Sequence, residues 1–590
     1  MIDFHIFDII LFFLPFIIIG IILFLSFKKT KSTTEYFQAE GNLHWFVAGT
    51  AMVATTFAAD TPLAVTEIIR SQGIVGNWVW WYMAIGGFVT VFFFAKLWKR
   101  SEAKTDLDLI RIRYSGKEAN FLQGFKAISI GLILNVIVLG WVNLAMIKIL
   151  PVFFPNYSIP ILLSVILLFG LFYTSIAGLR GISYIDVFQF FLAWGGCILF
   201  AYFALDLNKI GGISNLFSKI PDSKLQFFPN FENSEMSFSH FLILITVLWW
   251  SSWYPGSEPG GGGYIAQRIL ATRNESSAVK SSLWFVVAHY FVRPWPWIIV
   301  ALVSLVLYPN LSEEQSGQGF LMVLKEGMPH GMVGLLLSAF FAAYLSTLAT
   351  HLNWGASYLV KDLWEPFVQK NKPDKYYIKI SYLLQTVIAG LSFLLALYGM
   401  ETVKGSWVFL LEASSGIGFV LIARWFFWKI SARTEILAFI LSPILYSISK
   451  YIFSFVFPYT ILFTSLSAVV LLLVYSNIFP ETDKSKLKQF YEKVQPPFFF
   501  WKSLYSVGEF FPKRNNFILR SFLGVFLGLA FVFLGLYLIQ SFLSKEPSWF
   551  VCILFLSSGF GVLQILNTTT ELPTAKVESN KMNTSAKNKF

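Results

Sequence analysis

Apolar runs long enough to cross a bilayer recur along most of this chain, and short polar turns separate them. The hydrocarbon core of a membrane takes about 20 mostly apolar residues per helix. Such windows fall near 7–27, 45–69, 76–98, 120–150, 158–178, 183–206, 240–265, 283–308, 331–360, 377–398, 404–428, 433–456, 459–478, 516–542 and 547–567. The long polar connections are 207–236, 309–330 and 479–515, so no soluble catalytic domain is attached. The pattern predicts an all-α polytopic membrane protein.

Two of these windows are interrupted in mid-span. In VATTFAADTPLAV, Asp60, Thr61 and Pro62 stand inside an apolar run from Trp45 to Ile69. In LWWSSWYPGSEPGGGGYIAQR, Pro255, Glu258, Pro259 and the glycines 260–263 follow an apolar half-helix. Unpaired backbone groups cost several kcal/mol each against lipid, so irregular backbone at membrane depth persists only where it is buried in protein or lines a watery cavity. Broken helices at corresponding positions of two halves point to the binding site of a secondary transporter.

Composition supports the membrane assignment. The 590 residues are 56% hydrophobic and 13% charged, where soluble domains carry about 25% charged residues. The first apolar run has no basic residue before it and Lys28, Lys29 and Lys31 after it. That is a retained helix rather than a cleavable signal, with its N-terminus outside by the positive-inside rule. Alternating sides from there puts Lys96–Lys117, Arg268–Lys280, Lys361–Lys379, Arg424–Arg433, Lys484–Arg514 and the tail lysines inside, while few cations fall outside. The net charge of +12 is thus explained by topology, with the lipid bilayer as partner and no nucleic acid. Cys197 and Cys552 read as buried free thiols, and no metal-ligand spacing exists among Cys and His.

Candidate chemistry gathers around the interruptions. In AFFAAYLSTLATHLNWGASYLVKDLW (339–364), Ala343, Ser346, Thr347 and Thr350 share one helix face. Two hydroxyls and a helix carbonyl supply the hard oxygens a small monovalent cation prefers; helix packing is the alternative reading. Pro62 lacks an N–H and its ring displaces the carbonyl of Ala58, freeing oxygens at the first break. Asp60 would cost about 2.5–3.5 kcal/mol if left unpaired at the bilayer centre, so it faces a cation or a solute group, or caps the second half-helix. Glu258 is either a solute or cation contact or sits at an aqueous mouth. Tyr264 closes the pocket or packs, and Gln267 and Arg268 end the span. His289 and Arg293 sit within a proline-interrupted helix and Glu412 within an apolar one. His351 reads as a satisfied core histidine, and the tryptophans at 78–81 and 249–253 as interfacial belt residues.

Several stretches together resemble the sodium/solute symporter family, which includes sodium/proline, sodium/galactose and sodium/pantothenate carriers. YTSIAGLRGISYIDVFQFFLAW (173–194) resembles the family signature, with Gly178, Asp186 and Gln189 in place. KTDLDLIRIRYSG (104–116), YIAQRILATRNESSAVKSS (264–282), AAYLSTLATHLNWGASYLVKDLW (342–364) and ASSGIGFVLIARWFFWKISARTE (413–435) resemble further family segments in the same order.

The resemblance implies a LeuT-type core of two inverted five-helix repeats, with one leading and about four trailing accessory helices. The corresponding divisions are 1–40, a leading helix; 41–206 and 207–432, the two repeats; 433–570, accessory helices around an inner loop at 479–515; and 571–590, a disordered tail. It implies a sodium ion held by the hydroxyls of Ser346 and Thr347 and the carbonyls of Ala343, Ala58 and Thr61, with Asp60 nearby. A register four residues earlier, through Ala54 and Phe57, is the alternative. The residues around the breaks offer Glu258, Gly261, Tyr264, Arg293 and Glu412 as solute contacts, and the resemblance implies gating or signature roles for Asp186, Gln189, Gln267 and Arg268. The sugar-binding Asn and Gln of the galactose branch have no clean counterparts, which argues against a sugar. The expectation is a sodium-coupled symporter, not an enzyme, carrying a small organic solute such as an amino acid or carboxylate into the cell by alternating access. A proton-coupled or uncoupled carrier and a non-transporting sensor are the alternatives.

Overall fold

The structure is a computed structural model describing residues 4–27, 32–229, 235–481, 483–497, 501–504, 517–544 and 547–570. Lys28, Lys29 and Lys31, the phenylalanines 498–500 and the tail 571–590 lie outside these residues.

The leading helix α1 (Ile6–Phe27) lies on the outside of the bundle, with most of its large apolar side chains exposed. The first interrupted span is α2 (Trp45–Thr56) and α3 (Thr61–Gln72), bent by 57°. Then follow α4 (Ile74–Ser101), α5 (Gly116–Phe153) and α6 (Ile159–Asp206). The second interrupted span is α7 (Phe238–Ser251) and α8 (Gly263–Leu270), separated by irregular backbone over 252–262. α9 (Glu275–Leu307), α10 (Met332–Val368) and α11 (Asp374–Tyr398) lead to α12 (Val403–Ala413) and α13 (Gly418–Phe426), a pair bent by 47°. The chain closes with α14 (Ala432–Ile452), α15 (Tyr459–Ile478), a short α16 (Lys484–Val494), α17 (Phe517–Leu543) and α18 (Trp549–Thr570).

The predicted windows map onto these elements with three differences. Windows 158–178 and 183–206 are one 48-residue helix interrupted at Gly178, whose φ of 56° and ψ of 179° are non-helical. Window 404–428 is bent at 414–417, where Ser414 leaves the helix to bond the second break: its hydroxyl donates to the Trp253 carbonyl at 2.8 Å and accepts from the Trp253 N–H at 3.0 Å. The inner loop at 479–515 contains a helix, α16, that buries Leu487, Phe490 and Val494 on one face.

α10 is the axis of the fold. From Met332 to Tyr358 every residue but Leu335 is buried, as expected for a helix packed on all sides. α6, α1, α11 and α2 surround it.

The basic loops converge at one end of the molecule. There Arg100 pairs with Glu275 at 3.0 Å, Arg433 with Glu118 at 2.5 Å and Lys493 with Glu102 at 3.1 Å. At the other end Arg70 donates to the carbonyls of Ser304 and Tyr308, and Lys209 pairs with Glu326. The belt assignment of the tryptophans at 78–81 does not match: Trp78, Trp80 and Trp81 are buried, with Trp78 and Trp81 packed against Phe227, and Trp253 is buried too. Cys197 is buried and Cys552 half-buried; both are free.

Candidate functional site

The first break is short. α2 ends at Thr56, and the Phe57 N–H bonds the carbonyls of Val53 and Ala54. Pro62 lies in the first turn of α3, where its missing N–H costs nothing. The Ala58 carbonyl accepts from the Thr61 N–H at 3.1 Å. Proline therefore starts the second half-helix more than it breaks the first.

α10 meets this break through its hydroxyl stripe. Thr347 Oγ1 lies 2.8 Å from the Thr55 carbonyl and 3.1 Å from that of Ala343. Ser346 Oγ turns the other way and donates to Asp186 Oδ1 at 2.7 Å. Asp186 also faces Arg268 at 3.7 Å. Arg268 donates to Thr350 Oγ1 and to Gln267 Oε1, both at 2.7 Å, and Thr350 Oγ1 is 2.9 Å from Thr55 Oγ1. Gln267 is tied to the Phe37 carbonyl and Asn353. Gln189, one turn beyond Asp186, is buried, and among the described residues neither amide atom has a hydrogen-bond partner. Ser346, Thr347, Thr350, Asp186, Gln267 and Arg268 thus form one buried hydrogen-bonded cluster under the first break, which Ala58, Thr61 and Gln189 do not join by a hydrogen bond among the described residues. The α2 carbonyl that meets the hydroxyl stripe is that of Thr55, between the Ala54–Phe57 and Ala58–Thr61 registers.

Beside this cluster a cavity lies between the two breaks, with Lys404 in its lining. Thr55, Thr56, Ala58, Asp60, Thr61 and Thr347 line it from one side, Tyr254 to Ser257 and Tyr264 from the other. Trp80, Trp141, Tyr290 and Trp407 supply aromatic walls, and His289, Arg293, His351 and Lys404 supply polar groups. Arg293 is held firmly. It donates to the carbonyls of His289 (3.2 Å) and Val53 (3.3 Å) and lies over the rings of Phe57 and Trp297. Its Nη2 is 3.1 Å from His289 Nε2, and His289 Nδ1 is 2.8 Å from Thr56 Oγ1. A guanidinium only donates, so His289 Nε2 is the acceptor and Nδ1 carries the proton: the imidazole is neutral. Asp60 and Trp407 face each other, and among the described residues the buried Asp60 Oδ1 and Trp407 Nε1 have no hydrogen-bond partner within bonding distance.

Three residues expected to touch solute do not reach this cavity. Glu412 turns to the accessory helices, accepting from Thr460 at 2.6 Å and pairing with Lys450 at 3.2 Å, while its neighbour Leu411 faces the cavity. Glu258 folds back over the Gly262–Gly263 backbone. Gly261 packs against Thr90, with a φ of 71° that favours glycine. His351 lines the cavity edge and is satisfied by Asn135, as a core histidine would be.

The sequence model of the Sodium:solute symporter family matches residues 36–429. The chain belongs to that family. The symporter is 25% identical over 392 residues to the sodium/glucose cotransporter of Vibrio parahaemolyticus, covering 62% of this chain and 69% of that one. It is 26% identical over 389 residues to a sodium/sialic acid symporter of Aliivibrio fischeri, covering 62% and 70%. Among solved structures it resembles a Na⁺-coupled sialic acid symporter in a substrate-bound outward-open state, with a TM-score of 0.66, 17% identity, and coverage of 81% of this chain and 99% of that one. The fold is LeuT-type, and the symporter is a multi-pass cell-membrane protein that uses sodium; it is not an enzyme. Its helices α14–α18 lie beyond the family-matched segment.

Proposed function

We propose that this symporter carries a small solute bearing a carboxylate, with an amino acid as the leading case, and that sodium seats where α10 meets the first break. The observation that supports the solute reading is the fixed guanidinium of Arg293 in the same cavity as an Asp60 oxygen that, among the described residues, has only the Trp407 indole near it. A carboxylate on Arg293 and an ammonium or hydroxyl donor on Asp60 would satisfy both. Lys404 in the lining adds a second cation that attracts anions.

For sodium, the Thr347 hydroxyl and the Thr55 and Ala343 carbonyls already converge, and Ser346 would have to leave Asp186 to join them. Ala58 and Thr61 stand next along the break. All are hard neutral oxygens, suited to a weakly polarising monovalent ion. One sodium falling through 100 mV releases about 2.3 kcal/mol, and a tenfold gradient adds about 1.4 kcal/mol. Together these allow roughly 10²–10³-fold accumulation. Sodium bridging α10 and α2 holds the cavity open toward Lys404; the buried cluster around Arg268 closes the basic end. Rocking of one helix bundle against the other then exchanges the two.

The test is uptake into proteoliposomes under an inward sodium gradient, with a panel of amino acids, hydroxy acids, keto acids and neutral sugars. Sodium-dependent uptake confined to carboxylate-bearing solutes is expected. Uptake of neutral sugars alone would overturn the solute assignment.

A further inference from the structure

Glu258 is a buried acid that the solute cavity does not use, and its surroundings are specific. It lies in the irregular backbone between α7 and α8, 5% exposed. A side chain at Gly262 would meet Glu258 Oε2 at 2.6 Å and Asp106 Oδ2 at 3.3 Å, so the two carboxyl groups crowd one glycine corner. Asp106, from the loop after α4, is also buried. It accepts the Gly263 N–H at 2.9 Å on one oxygen and the Tyr358 hydroxyl on the other. Two donors on two oxygens favour the ionised form of Asp106 over that of Glu258. Among the described residues Glu258 Oε1 has no hydrogen-bond partner, and Trp253 is the side chain placed to donate to this carboxyl.

The cations nearby are committed elsewhere. Lys126 from α5 pairs with Glu435 at 2.7 Å and Arg424 from α13 with the same oxygen at 3.6 Å. Tyr264 and Tyr358 face Glu258 from α8 and α10, and Trp253 from the end of α7. An unpaired carboxylate beside Asp106 would be a second buried anion with no counter-charge in contact, which is prohibitively costly.

We propose that Glu258 is a proton-binding site that locks the basic, cytoplasmic end of the symporter shut. In the closed form the proton on Glu258 removes the repulsion from Asp106 and lets the glycine corner pack. Gly260 is meanwhile hooked by the Trp98 indole, which donates to its carbonyl at 2.7 Å. When that end opens, water reaches Glu258, the proton leaves to the cytoplasm, and the two carboxylates repel. The proton binds the closed form, so low internal pH holds the end shut and rising internal pH releases it.

Infrared spectroscopy of the full-length protein in liposomes tests this without any solute. At neutral pH in sodium-free buffer the wild type is expected to show a protonated-carboxyl C=O band that Glu258→Gln lacks. Identical spectra in that region overturn the proposal. Asp106→Asn, which removes the neighbouring charge, is expected to move the disappearance of that band to lower pH; an unmoved titration overturns it as well. This second variant keeps the test alive if Glu258→Gln does not fold. A band that vanishes when Na⁺ alone is added at constant pH marks a sodium site instead, and also overturns it. With a transported solute in hand, uptake is expected to rise with internal pH in the wild type and to be flat in Glu258→Gln. Because the spectra need no solute, failure of the carboxylate assignment leaves this result readable by itself.

Discussion

Arg293 shows how one side chain is prepared for a ligand. Three of its five N–H groups go to two carbonyls and to His289, so a stacked, oriented guanidinium keeps one N–H on each Nη to offer a ligand beside the cavity. Arg293→Lys keeps the charge and loses this orientation. It is expected to raise the solute concentration for half-maximal uptake roughly 10–100-fold, the worth of a charged hydrogen bond, with little change in sodium dependence. Thr347→Ala should do the reverse, raising the half-maximal sodium concentration about tenfold; unchanged sodium dependence in this variant would count against the cation pocket. Buried charge sets a third expectation. Glu435 takes Lys126, Arg424 and the Tyr114 hydroxyl, all buried. Removing it in Glu435→Ala strands two cations and should cost about 3–5 kcal/mol, visible as a large drop in melting temperature in detergent. At this scale sequence reading reached the residue types more surely than their facing. Arg293, Asp60 and Thr347 were legible because a polar group in an apolar run needs a partner. Glu412 was legible as a buried acid but not as one directed at Lys450, because a rotation of one residue along α12 exchanges it with Leu411.

Among the elements, the spans themselves follow from apolar length, and both mid-span interruptions from proline and glycine chemistry. The bend between α12 and α13 was hidden. SSG is compatible with a continuous membrane helix, and it unwinds because Ser414 exchanges two hydrogen bonds with Trp253 of a segment 161 residues away. Gly178 is the opposite case, a signature glycine whose reason is local. Its backbone turns α6 from one span into the next at a φ/ψ pair that other residues reach at a cost of about 1–3 kcal/mol. Gly178→Ala is therefore expected to lower thermal stability by that order, with the loss read by melting, and to misalign Asp186 against Ser346.

Across the whole molecule, the helices beyond the family-matched segment reach back to the transport core. α16 lays Phe490 over the Arg113 guanidinium, and Trp501 covers the same group and donates to the Trp425 carbonyl. Trp425 in turn packs against Trp98, whose indole holds Gly260. Loss of the Trp501 ring should loosen this stack. Trp501→Ala is expected to increase labelling of the basic end by membrane-impermeant reagents applied from that side, without altering sodium affinity. Apolar patterning placed 479–515 only as a surface loop, because a single amphipathic turn pattern does not say which core receives it.

The two interruptions differ in length, and that difference has a consequence for selectivity. Four residues separate α2 from α3, whereas eleven separate α7 from α8. A short, over-determined corner has little freedom to resize, so the ion it helps to hold is sieved by radius, and lithium or potassium should substitute poorly. The longer glycine-rich ribbon can adjust to its cargo, so one carrier should accept a homologous series of solutes while remaining strict about the cation that drives them.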